Sequence, residues 1–509
     1  MGSPKVVGWV VLLGVAPLEA VAEDGAPPVE VSGESRLSVE HLGALPLDAT
    51  GDVAAARTWL GSRLRVGVAG ALAPGWSGAL ELEGLTGYLA GDTTDVGLAR
   101  GDDTYLVARD GRRDLARVLP RRASVTYGTP QVQATVGADT FSAGLGVLAN
   151  DGTGERPFGD PWRGNVVARL GVRAAPWRAR EGSAVRGLGG LAAVDVIVRD
   201  ENAELYAGDL AGQLVAGARW QLARGWVGGF AAARLQRDRP DPWDPRQRVD
   251  PSARTTTVAV PLDLAFSLPL TGPARSWSVQ AEGELAAVRG HTDRPYTVET
   301  ADAGARIASL GGVARLSAGP ARAPVRAAVE VGYASGDNAT RDAVVRTFRF
   351  HSDYDVGLVL FEHALPLLYG RGVDRVFDPA LAAVPPGGTR ALVPQGVEGA
   401  AYAFPTVSVR LPAGLGARLG GVWAVATADV QDPYATGVNG GYNTTFGGAS
   451  PGRRGLGVEG DAALTVERAL GGAAVRGAVE GAVWSPGAAL DGVVTSAVPA
   501  VRGRLGVRW

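Results

Sequence analysis

Polar and apolar residues alternate along most of this chain with a period of two. The stretches Leu80-Glu81-Leu82-Glu83, Val194-Asp195-Val196, Val279-Gln280-Ala281-Glu282-Gly283-Glu284-Leu285 and Val501-Arg502-Gly503-Arg504-Leu505-Gly506-Val507-Arg508-Trp509 show it most plainly. A helix would scatter these charges around its surface, whereas a strand collects them on one face. Cut at the intervening Gly, Pro, Asp and Asn residues, the pattern predicts strands over 31–45, 57–73, 76–89, 115–129, 132–142, 165–175, 187–199, 210–222 and 226–236. It continues over 255–270, 277–289, 306–318, 325–335, 401–411, 415–428, 456–467, 473–484 and 494–509. The tally is about 18, an even number, as closed membrane barrels of bacteria have.

The connections carry a second pattern. Short links at 74–75, 130–131, 223–225, 271–276, 319–324, 412–414 and 469–472, with a longer one near 176–186, alternate with polar stretches at 90–114, 143–164, 237–254, 290–305, 336–400 and 429–455. Short periplasmic turns alternating with long extracellular loops are the habit of outer-membrane barrels. The predicted fold is therefore all-β, a transmembrane antiparallel up-and-down β-barrel of about 18 strands. A soluble sandwich or propeller fits the alternation alone, but leaves the aromatic placement without a reason. Trp76, Trp220, Trp277 and Trp509 stand beside short turns on the apolar parity, and Tyr88 and Tyr333 near the long-loop end, where interfacial girdles belong. The final strand, 501–509, ends on Trp509 and resembles the aromatic-terminated signal that barrel-insertion machinery reads in bacterial outer-membrane barrels.

The first residues add an address. Lys5, an apolar run over 6–18 and Glu19-Ala20-Val21-Ala22 read as a signal peptide, residues 1–22. A short periplasmic segment, 23–30, and a single barrel domain, 31–509, follow. The expected location is the outer membrane of a Gram-negative bacterium after export to the periplasm, with membrane lipid and lipopolysaccharide as surroundings. Composition narrows the rest. There is no cysteine, which excludes disulfide scaffolds, thiol nucleophiles and Cys-ligated zinc. A net charge of −2 speaks against a polyanion-binding surface, and nucleic-acid binding has no support. Glycine, at 74 of 509 residues, is about twice the usual share.

Lipid contact costs a charged side chain about 2–4 kcal/mol near the bilayer midplane, so the charged parity must face the lumen. That assigns Arg63, Arg65, Arg122, Arg169, Arg173, Arg219, Arg234, Arg315, Arg326, Arg410, Arg418, Arg476, Arg502, Arg504 and Arg508 to a pore lining. Facing them are Glu81, Glu83, Asp139, Asp195, Asp263, Glu282, Glu284, Glu330, Glu459, Asp461 and Glu480. The reading leaves two roles open: a solvated wall held by cross-strand pairs, Arg63 and Arg65 with Glu81 and Glu83 first among them, or a surface that selects ions and solutes. The loop 336–400 is far longer than a hairpin turn needs, and its 348–362 core is too apolar for a solvated coil. It is expected to fold over or into the barrel mouth as a lid or constriction, or else to form an extra strand at the rim.

Catalytic chemistry finds little support. His41, His291, His351 and His363 are the only histidines, and their sequence spacing does not suggest a metal site. His351 with Ser352 and Asp353 makes a weak hydrolase signal. Gly144-Leu145-Gly146 has no following helix to make a phosphate cradle. Asp337, Asn338, Asp342, Asp353 and Asp355 suit Ca²⁺ in composition but lack the EF-hand pattern. No cofactor, catalytic residue or metal ligand is assigned, and the chain is not expected to be an enzyme.

Tyr333-Ala334-Ser335-Gly336-Asp337, followed by Thr347-Phe348-Arg349-Phe350, resembles alginate-export-type outer-membrane porins. Residues 144–152 together with 350–362 resemble more closely an uncharacterised barrel family of deltaproteobacterial, myxobacterial-type outer membranes. The alginate-export resemblance implies about 18 strands and a basic lumen guiding a uronate polymer; the lumen here mixes both signs of charge. The expected function is a porin or channel for passive or gated diffusion of polar, anionic or saccharide solutes. The alternative is a non-conducting barrel serving as surface anchor, adhesin or assembly partner.

Overall fold

The computed structural model describes residues 29–92, 96, 118–154, 156–177, 184–240, 252, 254–271, 276–293, 303–321, 323–377, 396–439, 442–448 and 451–509. The signal-peptide reading of 1–22 lies outside them. Alternation along the chain becomes a closed wall: β1 (Glu30–Leu42), β2 (Arg57–Ala73), β3 (Trp76–Gly91), β4 (Leu119–Gly128), β5 (Val132–Thr140), β6 (Val166–Ala174), β7 (Leu188–Arg199), β8 (Leu210–Gln221) and β9 (Trp226–Arg237). The wall continues with β10 (Thr256–Pro269), β11 (Trp277–Thr292), β12 (Ala305–Pro320), β13 (Val325–Ala334), β14 (Ala400–Arg410), β15 (Leu415–Ala426), β16 (Gly455–Leu470), β17 (Ala473–Pro486) and β18 (Val498–Arg508). Each strand pairs antiparallel with its chain neighbour, and β1 pairs with both β2 and β18, which leaves the barrel no open edge. A backbone in hydrocarbon must satisfy its own N–H and C=O groups, and closure does so.

The exterior is apolar and the interior polar, strand by strand. On β16 Leu464 is 65% exposed while Glu459, on the opposite parity, is 0%. Trp76, Trp220, Trp277, Trp509 and Tyr333 project outward at the strand ends, and Trp76 packs on the outward ring of Tyr127 at 4.7 Å. Tyr88 departs from the expected belt. It packs against the interior cluster, because the ladder between β2 and β3 shifts register near Leu60–Leu64 and Leu85 takes a positive φ. Long loops and short turns alternate between the two ends, so both ends of the described wall, Glu30 and Arg508, lie with the short turns. No helix among the described residues is long and apolar enough to cross a membrane.

Two loop segments leave the rim and enter the barrel. The first follows β5, from Phe141 to Asn165. The second follows β13: Val344–Val345 pairs in parallel with Arg306 and Ile307 of β12, the chain then turns inward, and a π-helical turn, Leu360–Ala364, leads into helix α1, Leu365–Phe377. Every residue from 351 to 368 is buried. The apolar core thus lies inside the barrel, where Phe348, Phe350, Tyr354, Leu358 and Phe361 pack against inward residues of β14 to β18 such as Tyr402, Phe404 and Val422. Pore-facing strands normally carry polar residues, and here the inserted loop supplies the apolar partner that inward Phe404 and Trp484 require. Helix α1 is tied to the loop 43–56 by Arg371, which pairs with Asp52 and lies 3.6 Å from Asp48. Arg375 of α1 stacks on Tyr434 of a second short helix, α2 (Pro433–Val438).

Candidate functional site in the barrel lumen

An irregular segment inside a barrel brings backbone donors and acceptors that water no longer reaches, and each needs a partner. Wall carboxylates take the donors. Glu284 on β11 accepts the backbone N–H groups of Leu145, of Val147 at 3.0 Å and of Leu148 at 3.2 Å. Glu459 on β16 accepts those of Leu358, Val359 and Leu360 at 2.5, 2.9 and 2.8 Å. Each cluster of donors is preceded by a glycine of positive φ, Gly144 (59°) and Gly357 (74°). A Cβ there would meet the clamped carboxylate at 2.2 Å and 2.6 Å. Both inserts therefore use one device, a glycine that turns successive N–H groups toward a single acid. The 144–148 stretch closes its N–H groups over the protein's own Glu284.

The two inserts are sewn together by the same chemistry. Asp353 accepts the N–H groups of Trp162 (2.6 Å), Arg163 (3.1 Å) and Gly164 (2.6 Å). Asp355 accepts that of Asp160 at 2.7 Å. Burial opposes ionisation of Asp353, but neighbouring His351 and these three donors outweigh it and hold the carboxyl below its ordinary range.

Arginines take the carbonyls. Arg36 and Arg63 donate to Pro161 O at 2.8 and 2.6 Å, Arg121 to Asp151 O at 2.6 Å, and Arg199 to Arg163 O at 2.6 Å. Arg502 donates to Phe158 O at 2.6 Å and Arg504 to Gly159 O at 2.7 Å, with Arg65 reaching Gly152 O at 3.2 Å. The same guanidiniums pair with wall acids: Arg63 with Glu34 (2.6 Å), Arg65 with Glu83 (2.8 Å), Arg121 with Glu81 (2.8 Å), and Arg502 and Arg504 with Glu480 (2.8 and 2.6 Å). The result is a collar of arginine and carboxylate around the 151–163 segment. Arginine suits this place because one planar fork serves a carboxylate and a carbonyl together.

Of the residues read as pore lining, the structure encloses Arg63, Arg65, Glu83, Asp139, Arg169, Asp195, Asp263, Glu284, Glu330, Glu459, Asp461, Glu480 and Arg502. Glu81, Arg122, Arg173, Arg219, Arg234, Glu282, Arg315, Arg418, Arg476, Arg504 and Arg508 are partly exposed, and Arg326 and Arg410 are open to water. The cross-strand pairing proposed for Arg63 and Arg65 holds for one partner only. Arg65 meets Glu83 in register, whereas Arg63 turns to Glu34 and Glu81 to Arg121. Arg169 and Asp195 form a two-bond pair at 2.7 and 2.8 Å, and Arg122 meets Asp139 at 2.9 Å. Sequence reasoning missed Arg121: a bulge between Glu81 and Leu82 turns both Arg121 and Arg122 inward. It also missed Glu34, Arg36 and Glu40, whose shared parity on β1 was a usable signal. Arg156 it missed for want of any periodicity; this loop residue pairs with Glu330 at 2.7 Å while Glu330 also accepts from Tyr402 at 2.7 Å.

At the short-turn end Arg326 of β13 and Arg410 of β14 are exposed, while Arg173 of β6, Arg219 of β8 and Arg418 of β15 are half-buried, Arg418 lying over the ring of Phe158 at 5.7 Å. Acids there are already matched: Glu282 with Arg315 at 2.8 Å, Glu467 with Arg476 at 3.0 Å, and Glu34 with Arg508 at 3.2 Å. The catalytic signal at His351 has the wrong geometry for a hydrolase. Ser352 donates its hydroxyl to Glu201 at 2.7 Å, and His351 Nδ1 accepts the Asp353 N–H at 3.1 Å. The candidate calcium set is also split, since Asp337 and Asp342 hold Arg346 at 3.3 and 2.7 Å at the rim while Asp353 and Asp355 are inside.

No known family profile matches the chain, and no curated protein matches it in sequence. Solved structures similar to it include outer-membrane proteins. Pseudomonas aeruginosa OpdK with vanillate shares 12% identity at a TM-score of 0.49, over 94% of this chain and 98% of that one. Acinetobacter baumannii OccAB4 shares 8% at 0.47 over 97% and 99%, and the outer membrane protein OprD from P. aeruginosa shares 10% at 0.47 over 94% and 93%.

Proposed function

We propose that this barrel is an outer-membrane channel for small polar solutes, with passage set by the two inserted segments and a preference for anions set by the short-turn mouth. The observation that carries the reading is the contrast in how arginine is used. In the collar each guanidinium is engaged by carbonyl and carboxylate, while at the mouth Arg326 and Arg410 stand in water on adjacent strands. Fixed positive charge lining a narrow aqueous opening raises the local concentration of anions and lowers that of cations. A carboxylated saccharide is the solute class added by the resemblance to alginate-export-type porins. The chain holds no group arranged for covalent catalysis among the described residues at the one place its sequence suggested.

Planar-bilayer recordings test this. Wild type is expected to give discrete steps whose reversal potential across a KCl gradient lies on the anion side, and deletion of 356–377 is expected to raise the step size. Steps of cation preference would remove the charge assignment, and an unchanged step size after the deletion would remove the inserted loop as the constriction. A second reading, a closed barrel acting as surface anchor or adhesin, is favoured by the apolar mass of 351–368 inside the wall. It predicts no steady conductance at any salt concentration.

A further inference from the structure

Glu40, near the loop end of β1, converges with Glu362 and His363 of the π-helical turn, and their candidate ligand atoms all lie within 4.8 Å of one another. All three side chains are buried, at 3%, 4% and 4% exposure. No spacing in the sequence suggests the group, because Glu40 and the Glu362–His363 pair are brought together only when the second insert enters the barrel. We propose that Glu40, Glu362 and His363 form a divalent transition-metal site of zinc type that pins the inserted segment to the first strand. This inference stands apart from the channel reading, since an open or a closed barrel would bind the ion equally.

Five features point the same way. The donor set is one imidazole and two carboxylates, which suits zinc and its neighbours, whereas calcium and magnesium favour all-oxygen shells. His363 Nε2 lies 3.7 Å from Glu40 Oε2, too long for a hydrogen bond and close to the roughly 3.3–3.5 Å between two donors sharing a tetrahedral zinc with bonds near 2.0–2.2 Å. The imidazole is held edge-on by Trp59, ring centres 5.8 Å apart and planes at 83°, so its direction is set before any ion arrives. Glu362 is steadied from outside by Arg502 at 3.1 Å, which is itself shared with Glu480 at 2.8 Å. A carboxylate has lone pairs enough to serve a guanidinium and a metal together, and such outer partners orient metal ligands. The π turn itself belongs to a class of helix irregularity that concentrates at functional sites.

The test uses the full-length barrel in detergent, stripped with a chelator and titrated with zinc chloride by calorimetry. One zinc per chain is expected, with Glu40→Gln and His363→Ala each weakening the affinity by more than the roughly 10–100-fold that loss of an outer partner brings. His291→Ala, remote from the triad, is expected to leave it unchanged. Cobalt in place of zinc should give a visible d–d absorption that His363→Ala abolishes. Heat-modified gel migration checks that each variant is a closed barrel, and Glu40→Gln, nearly isosteric, keeps the test alive where His363→Ala does not fold. Absence of one-to-one binding, or equal affinity in a folded Glu40→Gln barrel, would overturn the proposal. So would a cobalt spectrum indifferent to position 363.

Discussion

The collar and the short-turn mouth are lined by the same residue, on the same inward parity of the same kind of strand. In the collar Arg502 is 2% exposed and engages Glu480, Glu362 and the carbonyl of Phe158. At the mouth Arg326 and Arg410 lie in water. The difference lies in what the loops bring. Where 151–163 descends, its carbonyls and the wall acids consume the guanidiniums, and the arginines become structural. At Arg326 and Arg410 the charge is left to water and salt. Alternation therefore tells which side chains face the lumen, and the inserted segments tell which of them stay open to water.

Four perturbations would break or sharpen this contrast. Glu459→Ala should have the largest effect, because three buried N–H groups of 358–360 lose their acceptor, each such loss costing about 1–3 kcal/mol. Proteolysis at Arg371 and amide exchange over 356–370 should both accelerate by at least about 100-fold, while the barrel stays heat-modifiable; a protected insert would show that apolar packing alone retains it. Glu284→Ala should release 145–148 by the same measurement to a smaller extent, since the insert that carries them is shorter.

Acid provides the third. Asp353 ionises below its ordinary value in the folded chain, so its contribution is fully present above the unfolded value near 3.8. It is lost as pH falls through the lower folded one. Lowering the pH from about 5 toward 2 should loosen the seam between the inserts, read as amide exchange at Trp162, Arg163 and Gly164, and Asp353→Asn should flatten that dependence. Exchange that depends on pH alike in both proteins would assign the acid response elsewhere. The smallest effect belongs to the mouth. Replacing Arg326 and Arg410 together by Ala should shift the reversal potential toward cations in dilute salt, fade at 1 M where screening acts within about 3 Å, and change stability by no more than about 0.5 kcal/mol. An equal shift at both salt concentrations would argue against a screened surface charge.

Much of the barrel was legible in the chain. Period-two alternation, Gly and Pro between segments, and short links alternating with long ones locate all eighteen strands, with 57–73 matching β2 end to end. Lipid on one side and polar groups on the other impose that signal on every strand, so it is local and repeated. The apolar run at 348–362 was also legible as something other than solvated coil. What the sequence could not decide was where each charge ends. Arg121 faces inward because of a bulge, Arg63 chooses Glu34 over Glu81, and Glu284 and Glu459 hold backbone donors that arrive from loops with no periodicity. These depend on contacts between residues far apart in the chain, formed only once two inserts without regular structure settle inside a closed wall. Glu40 meets Glu362 and His363 for the same reason: alternation sets the direction of a side chain, and the tertiary fold chooses its neighbour.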